Sequence, residues 1–226
     1  MELQTRLLEI RERIAQAAVR SGRAPDAVVL LAVTKTFPPE TIRQAYDLGL
    51  RLFGENRVQE AIPKIDGLPG DIQWHLIGQL QTNKINKVIG KFALVQSVDS
   101  LKLAQALSAR LSGGHQDVLL EVNTSGEDSK SGTAPDRALE EAGRISSLPG
   151  LRLRGLMTVG PLTDDRMRQR ESFKRLKGLF DALKTMGIGG DEFSVLSMGM
   201  SGDFEAAIEE GATLVRIGSS LFGRRS

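Results

Sequence analysis

"VVLLAVTKTFPPETIRQAYDLG", residues 28–49, decides how this chain is read. Residues 28–34 form an apolar, β-branched run of strand length. Pro38 and Pro39 then open a helical pattern that stops at Gly49, the usual order of helix start and stop signals. A strand that leads into a helix, with no hairpin turn between them, is half of a βαβ unit. The same unit recurs along the rest of the chain. Strand patterns fall at 51–54, 72–78, 93–98, 116–123, 151–159, 193–198 and 213–218. Helical patterns lie between them, the clearest being "SLKLAQALSARLSG" (100–113), "APDRALEEAGRISSLPG" (134–150) and the long "RMRQRESFKRLKGLFDALKTMG" (166–187).

Alternating strands and helices imply a parallel sheet. Eight such units in 226 residues fit the (β/α)8 TIM barrel. The competing open, doubly wound sheet carries a glycine-rich turn after its first strand, and "AVTKTFPPE" has no glycine. The expectation is one α/β domain over residues 1–226, beginning with an amphipathic helix that has Leu3, Leu7, Ile10, Ile14 and Ala17 on one face.

Composition narrows the function. The 30 basic and 28 acidic residues are interspersed, and only 4% of residues are aromatic, so there is no basic, aromatic surface of the kind that binds nucleic acid. No cysteine is present, which excludes disulfides and thiolate metal sites and fits a reducing compartment. The two histidines, His75 and His115, have no metal-ligand spacing. No apolar run approaches the ~20 residues of a membrane span, and acidic residues interrupt the N-terminus where a signal peptide would be apolar. A cytoplasmic protein without a metal is expected.

Barrel enzymes place their chemistry at the C-terminal ends of the strands. The unusual residues of this chain collect there. Lys35 ends strand 1 on the face of Leu31 and Val33, so an inward face would carry it into the barrel mouth. A desolvated lysine there is a usable amine that attacks aldehydes; otherwise Lys35 marks the strand end and reaches for water. Asn56 follows strand 2 and either bonds a ligand or caps the next helix. Glu55 either pairs with Lys35 or caps that helix. His75 sits late in strand 3 and Asn123 ends strand 5. Met157 ends strand 6 and Lys130 reads as a solvated loop lysine. Ser201 and Gly202 precede a helix, with Ser201 a natural N-cap. Gly218 and Ser219 follow strand 8. Two such loops form the recurring phosphate site of barrels, or they only turn the chain. Arg216 lies inside strand 8 and needs a partner.

An amine, a phosphate loop pair and an arginine at the mouth are the parts of a pyridoxal-phosphate site. The stretches "LLAVTKTFPPE", "FGENRVQEAIPK", "WHLIGQLQTNK", "QSVDS", "EVNTSGEDSKSG", "GLMTVGP" and "LSMGMSGDFEAAIEEGATLVRIGSSLFG" together resemble the pyridoxal-phosphate homeostasis protein family, also called the YggS/PROSC type, across nearly the whole chain. That family is similar to the N-terminal barrel of alanine racemase and lacks its second domain. The resemblance implies that Lys35 holds pyridoxal 5'-phosphate (PLP) as a Schiff base. It implies that Asn56, His75, Met157, Ser201, Gly202, Arg216, Gly218 and Ser219 complete the cofactor site. It also implies a role in vitamin B6 homeostasis, with PLP-dependent enzymes as clients. Arg216 on the pyridine nitrogen would leave that nitrogen unprotonated, a weaker electron sink.

A racemase needs two bases on opposite faces of the substrate. The single tyrosine, Tyr46, falls in the helix after strand 1, away from the mouth. A non-catalytic PLP carrier, monomeric as a free-standing barrel, is therefore expected. A weak PLP-dependent racemase or lyase is the alternative, and an isomerase of a phosphorylated sugar is a third reading.

Overall fold

Eight parallel strands close on one another in the order of the chain: β1 (Val29–Val33), β2 (Leu52–Glu55), β3 (Gln73–Leu76), β4 (Leu94–Val98), β5 (Gln116–Glu121), β6 (Leu151–Met157), β7 (Val195–Met200) and β8 (Leu214–Ile217), with β8 pairing back to β1. The structure is a computed structural model that describes residues 2–127 and 129–223. Met1, residues 224–226 and Asp128 of "GEDSKSG" lie outside the described residues, so the ends of the 1–226 domain reading do too.

The helices are α1 (Glu2–Arg20), α2 (Pro39–Asp47), α3 (Val58–Gly67), α4 (Leu101–Ser108), α5 (Ala138–Ser146), α6 (Arg166–Thr185), α7 (Phe204–Glu209) and α8 (Ser219–Phe222). After β3 the expected helix is a 3-10 turn, Thr82–Lys87. The polar "QTNKINK" places only Ile85 in the core there, too little apolar surface to hold a longer helix against the barrel. Local signals set several helix ends. Pro39 occupies the first turn of α2, Ser100 accepts the Leu103 N–H of α4, and Asp165 accepts the Met167 and Arg168 N–H groups of α6. In α1 the expected face is buried: Leu7, Ile10, Ile14 and Ala17 enter the core and Leu3 packs at its edge. Arg13 and Arg20 tie α1 to Glu205 and Glu209, so the N-terminal helix covers the side of the barrel next to α7.

The main core lies between strands and helices, with Ala32, Phe53, Trp74, Val95, Val118, Leu120, Val215 and Ile217 pointing outward into it. The opposite faces of the strands fill the barrel interior in two small apolar groups. Leu31, Val33 and Leu214 form one, and Leu94, Leu119 and Met157 the other. That alternation places Arg216 of β8 and Lys35, just beyond β1, on the inner side. Among the described residues no helix is long and apolar enough to cross a membrane.

Candidate functional site

The C-terminal mouth of the barrel holds a cavity of about 330 Å³. Its wall brings together Lys35, Asn56, Ser201, Gly202, Arg216, Gly218 and Ser219, with Val33, Ile77, Val159 and Met200 between them. These polar residues come from the ends of β1, β2, β7 and β8, which are sequence-distant but adjacent around the barrel. His75 and Met157 do not line this cavity. Both are buried in the barrel interior, Met157 with Leu94 and Leu119.

Lys35 lies one residue beyond Thr34, whose N–H still pairs with Gly54 O at 2.9 Å. The lysine therefore leaves the sheet at its rim, half-buried, with the strand still fixing its direction. Arg216 is buried, 4% exposed. Its Nη1 donates to Ser197 Oγ at 2.6 Å and its Nη2 to Thr158 O at 2.7 Å. Burial pushes its pKa down to about 10, with Glu121 and Asp203 working in the other direction, so it remains a cation at neutral pH. Asp203 is raised by burial and accepts the Met200 N–H through Oδ1.

Ser201 corrects one expectation. It does not cap α7; Asp203 occupies the N-cap position. The intervening turn carries Ser201 toward β8 instead. There its Oγ receives the Gly218 N–H at 3.4 Å and the Ser220 N–H at 3.3 Å. Both bonds are long for N–H···O, so these donors converge on one point without being fully used. At Gly218 an added Cβ would only reach ordinary van der Waals contact with Val33, 3.4 Å from its O.

The family model described as "Alanine racemase, N-terminal domain" matches residues 7–226. The chain is 47% identical over 224 residues to a pyridoxal phosphate homeostasis protein of Pseudomonas aeruginosa, covering 97% of this chain and 94% of the relative. It is 44% identical over 227 residues to one of Aquifex aeolicus, covering 97% of each. The chain belongs to the pyridoxal phosphate homeostasis protein family. Among solved structures, PipY of Synechococcus elongatus PCC7942 with PLP bound superposes with a TM-score of 0.78 at 37% identity, over 93% of this chain and all of that one.

In this member of the homeostasis family, the floor of the site is a polar chain that the strand patterns alone do not reveal. Arg216 donates to Ser197 Oγ, and Ser197 Oγ donates to Gln96 Oε1 at 2.6 Å. With Gln96 Nε2 facing the ring, it donates to His75 Nδ1 at 2.8 Å. His75 must then accept at Nδ1 and stay neutral, and burial depresses its pKa to about 3. His75 is thus the far end of a support for Arg216 and lies below the cavity wall. Glu121 ends β5 on the inner side, buried; desolvation, with Asp99 adding to it and Arg216 opposing, raises its pKa to about 7.

Other expectations resolve in the same way. Glu55 is fully buried and pairs with Lys64 at 2.8 Å. β5 ends at Glu121, two residues before Asn123, because Asn123 Nδ2 turns to the Glu127 and Lys130 carbonyls at 2.9 and 3.1 Å. Lys130 is no free loop cation. It bridges Glu127 and Gly160 O at 3.0 and 2.7 Å, joining the loops after β5 and β6. Tyr46 bonds Asp71 at 2.8 Å, just ahead of β3 and so at the end of the barrel opposite the mouth.

Proposed function

We propose that this protein binds pyridoxal 5'-phosphate in the barrel mouth, covalently on Lys35, and serves vitamin B6 homeostasis as a carrier. One observation carries the reading: a lysine amine, a buried arginine cation and a point of converging loop N–H groups share the wall of one cavity of about 330 Å³. The cofactor has three matching features, an aldehyde, a pyridine nitrogen and a phosphate. Its aldehyde supplies reversible carbonyl chemistry, condensing with a primary amine with loss of one water and returning by hydrolysis or by transfer to another amine.

The chain's own residues divide the work. Lys35 provides the amine. Gly218 and Ser220 offer N–H groups now turned to Ser201 Oγ, and with Gly202 and Ser219 they suit phosphate oxygens. Arg216 provides an N–H donor that stays charged, suited to an unprotonated ring nitrogen. Val33, Ile77, Val159 and Met200 give the ring apolar walls, and Asn56 adds an amide at the rim. His75 acts from below through Gln96 and Ser197, and Met157 packs in the barrel interior with Leu94 and Leu119.

The carrier reading rests on the base count. Of the residues that line the cavity, Lys35 is the one suited to exchange a proton with a substrate, since Arg216 stays charged. Racemisation needs a second base on the opposite face, and Tyr46 lies at the other end of the barrel. The site therefore holds and releases PLP for PLP-dependent client enzymes, from a monomeric barrel in the cytoplasm. Borohydride reduction of the protein incubated with PLP, followed by peptide mapping, tests the attachment: one phosphopyridoxyl group on the peptide carrying Lys35 is expected, and a label on any other lysine overturns the assignment. Loss of optical rotation from an L-amino acid incubated with the pure, loaded protein would restore the racemase alternative.

A further inference from the structure

Lys35 stands between two threonines that the structure holds in an unusual way. Thr36 has φ = 68°, the one positive value at a non-glycine among the described residues. A β-branched residue in that region is strained and persists only when its surroundings fix it. The fixing groups lie at the same end of the barrel, on the outer, helix-facing side of the sheet between β1, β2 and α3. Thr34 Oγ1 donates to Glu55 Oε1 at 2.6 Å, and Thr34 O accepts from Lys64 Nζ at 3.0 Å. The Thr36 N–H donates to Glu60 Oε1. Lys64 Nζ closes the cluster with Glu55 at 2.8 Å and Glu60 at 2.6 Å. Lys64 is 5% exposed and Glu55 fully buried, so the Lys64 bonds to Glu55 and Thr34 O act where water is excluded, while the Thr36–Glu60 bond closes the cluster at the exposed rim.

The three donors of the Lys64 ammonium are all used, one of them on the backbone next to Lys35. The cluster also carries a cost. Glu55 Oε2 is buried with no hydrogen-bond partner, and desolvation raises the Glu55 pKa. A lone stabilising ion pair would not need to grip the main chain on both sides of one residue.

We propose that the Glu55–Lys64–Glu60 cluster is the positioning device for Lys35, clamping Thr34 and Thr36 so that the amine between them is presented to the barrel mouth. This rests on the reading of Lys35 as the PLP-binding lysine. Lys64 and Glu60 are positioning residues: they act through the two threonines and do not line the cavity. Removing the clamp lets Thr36 relax to negative φ and turns the Lys35 side chain off its line of approach. The phosphate loops at β7 and β8 are untouched.

The test separates covalent attachment from pocket affinity. E60A removes the acceptor of the Thr36 N–H, E60Q keeps an oxygen there, and the double variant E55Q/K64M removes the buried charges together. For each folded protein, the rate of Lys35 adduct formation with PLP is measured across pH. The affinity for pyridoxine 5'-phosphate, which has the phosphate and ring but no aldehyde, is measured alongside. The proposal expects E60A and E55Q/K64M to slow adduct formation by roughly 10- to 100-fold, the range a small misplacement of a reacting group produces. Pyridoxine 5'-phosphate affinity stays at the wild-type value, and E60Q recovers most of the rate. Adduct rates in E60A within about twofold of wild type overturn the proposal, as does a parallel loss of pyridoxine 5'-phosphate affinity. Glu60 is partly exposed at its side chain, 26%, so E60A decides the matter alone if the double variant fails to fold. A wild-type protein that forms no adduct at all overturns the PLP reading itself, an outcome distinct from both.

Discussion

Gln96 is the residue on which the floor of the site depends. It joins a cation to a neutral histidine, accepting from Ser197 beneath Arg216 and donating to His75. Replacement by leucine tests that link. Gln96→Leu would leave Ser197 Oγ and His75 Nδ1 short of a buried partner, costing about 3 kcal/mol by denaturant unfolding. A loss under about 0.5 kcal/mol would mean that the chain of bonds contributes little. Nothing local in "LVQSV" marks Gln96 for this role. It lies 101 residues from Ser197 in sequence, and their 2.6 Å bond depends on register across the barrel interior. Lys35 and Arg216, by contrast, are legible in the sequence, because strand alternation and the C-terminal-end rule act on each strand separately. A lysine in phase with Leu31 and Val33 faces inward, and so does an arginine out of phase with Val215 and Ile217.

At the scale of elements, the βα rhythm sets strand order and the parallel sheet, because each strand leads into an element that returns over the outside. Boundaries are less legible where a side chain competes with the backbone. Asn123 ends β5 early by turning to two loop carbonyls. Ser201 leaves its expected cap to meet the loop after β8. Close approach between strands is equally hidden. Gly155 in β6 has φ = 154°, and a Cβ there would lie 1.7 Å from Val195 O. Gly155→Ala must therefore push β7 away from β6. A loss of about 3 kcal/mol or more is expected in urea unfolding, and an unchanged midpoint would place those two strands differently.

Over the whole molecule, two buried titratable groups give opposite pH dependences. His75 has a folded pKa of about 3 against an ordinary 6.5, so the unfolded chain takes up the proton first as pH falls. Its stabilising contribution is present above pH 6.5 and is lost as pH falls toward 3. Glu121 has a folded pKa of about 7 against 4.5. Its contribution is present below pH 4.5 and is lost as pH rises through 7. The two slopes oppose each other between 4.5 and 6.5, and outside that window only one of the two groups contributes. Unfolding free energies from about pH 4 to 8 should show E121Q with a smaller loss above 6.5, and H75N with a smaller loss below 4.5. Slopes identical to wild type in both variants would mean that neither group is buried as described.

Among the described residues Lys35 is the lysine that lines the cavity at the mouth, and the proposed attachment of PLP depends on it. An absorption spectrum of the purified protein with and without added PLP, taken for wild type and Lys35→Ala, tests it most directly. The account predicts a band in the wild type shifted to longer wavelength than that of the free cofactor. Lys35→Ala should lack the band while still retaining PLP through Ser201, Gly218 and Arg216. A wild-type spectrum that is only the sum of protein and free cofactor, or a band that survives in Lys35→Ala, would contradict it.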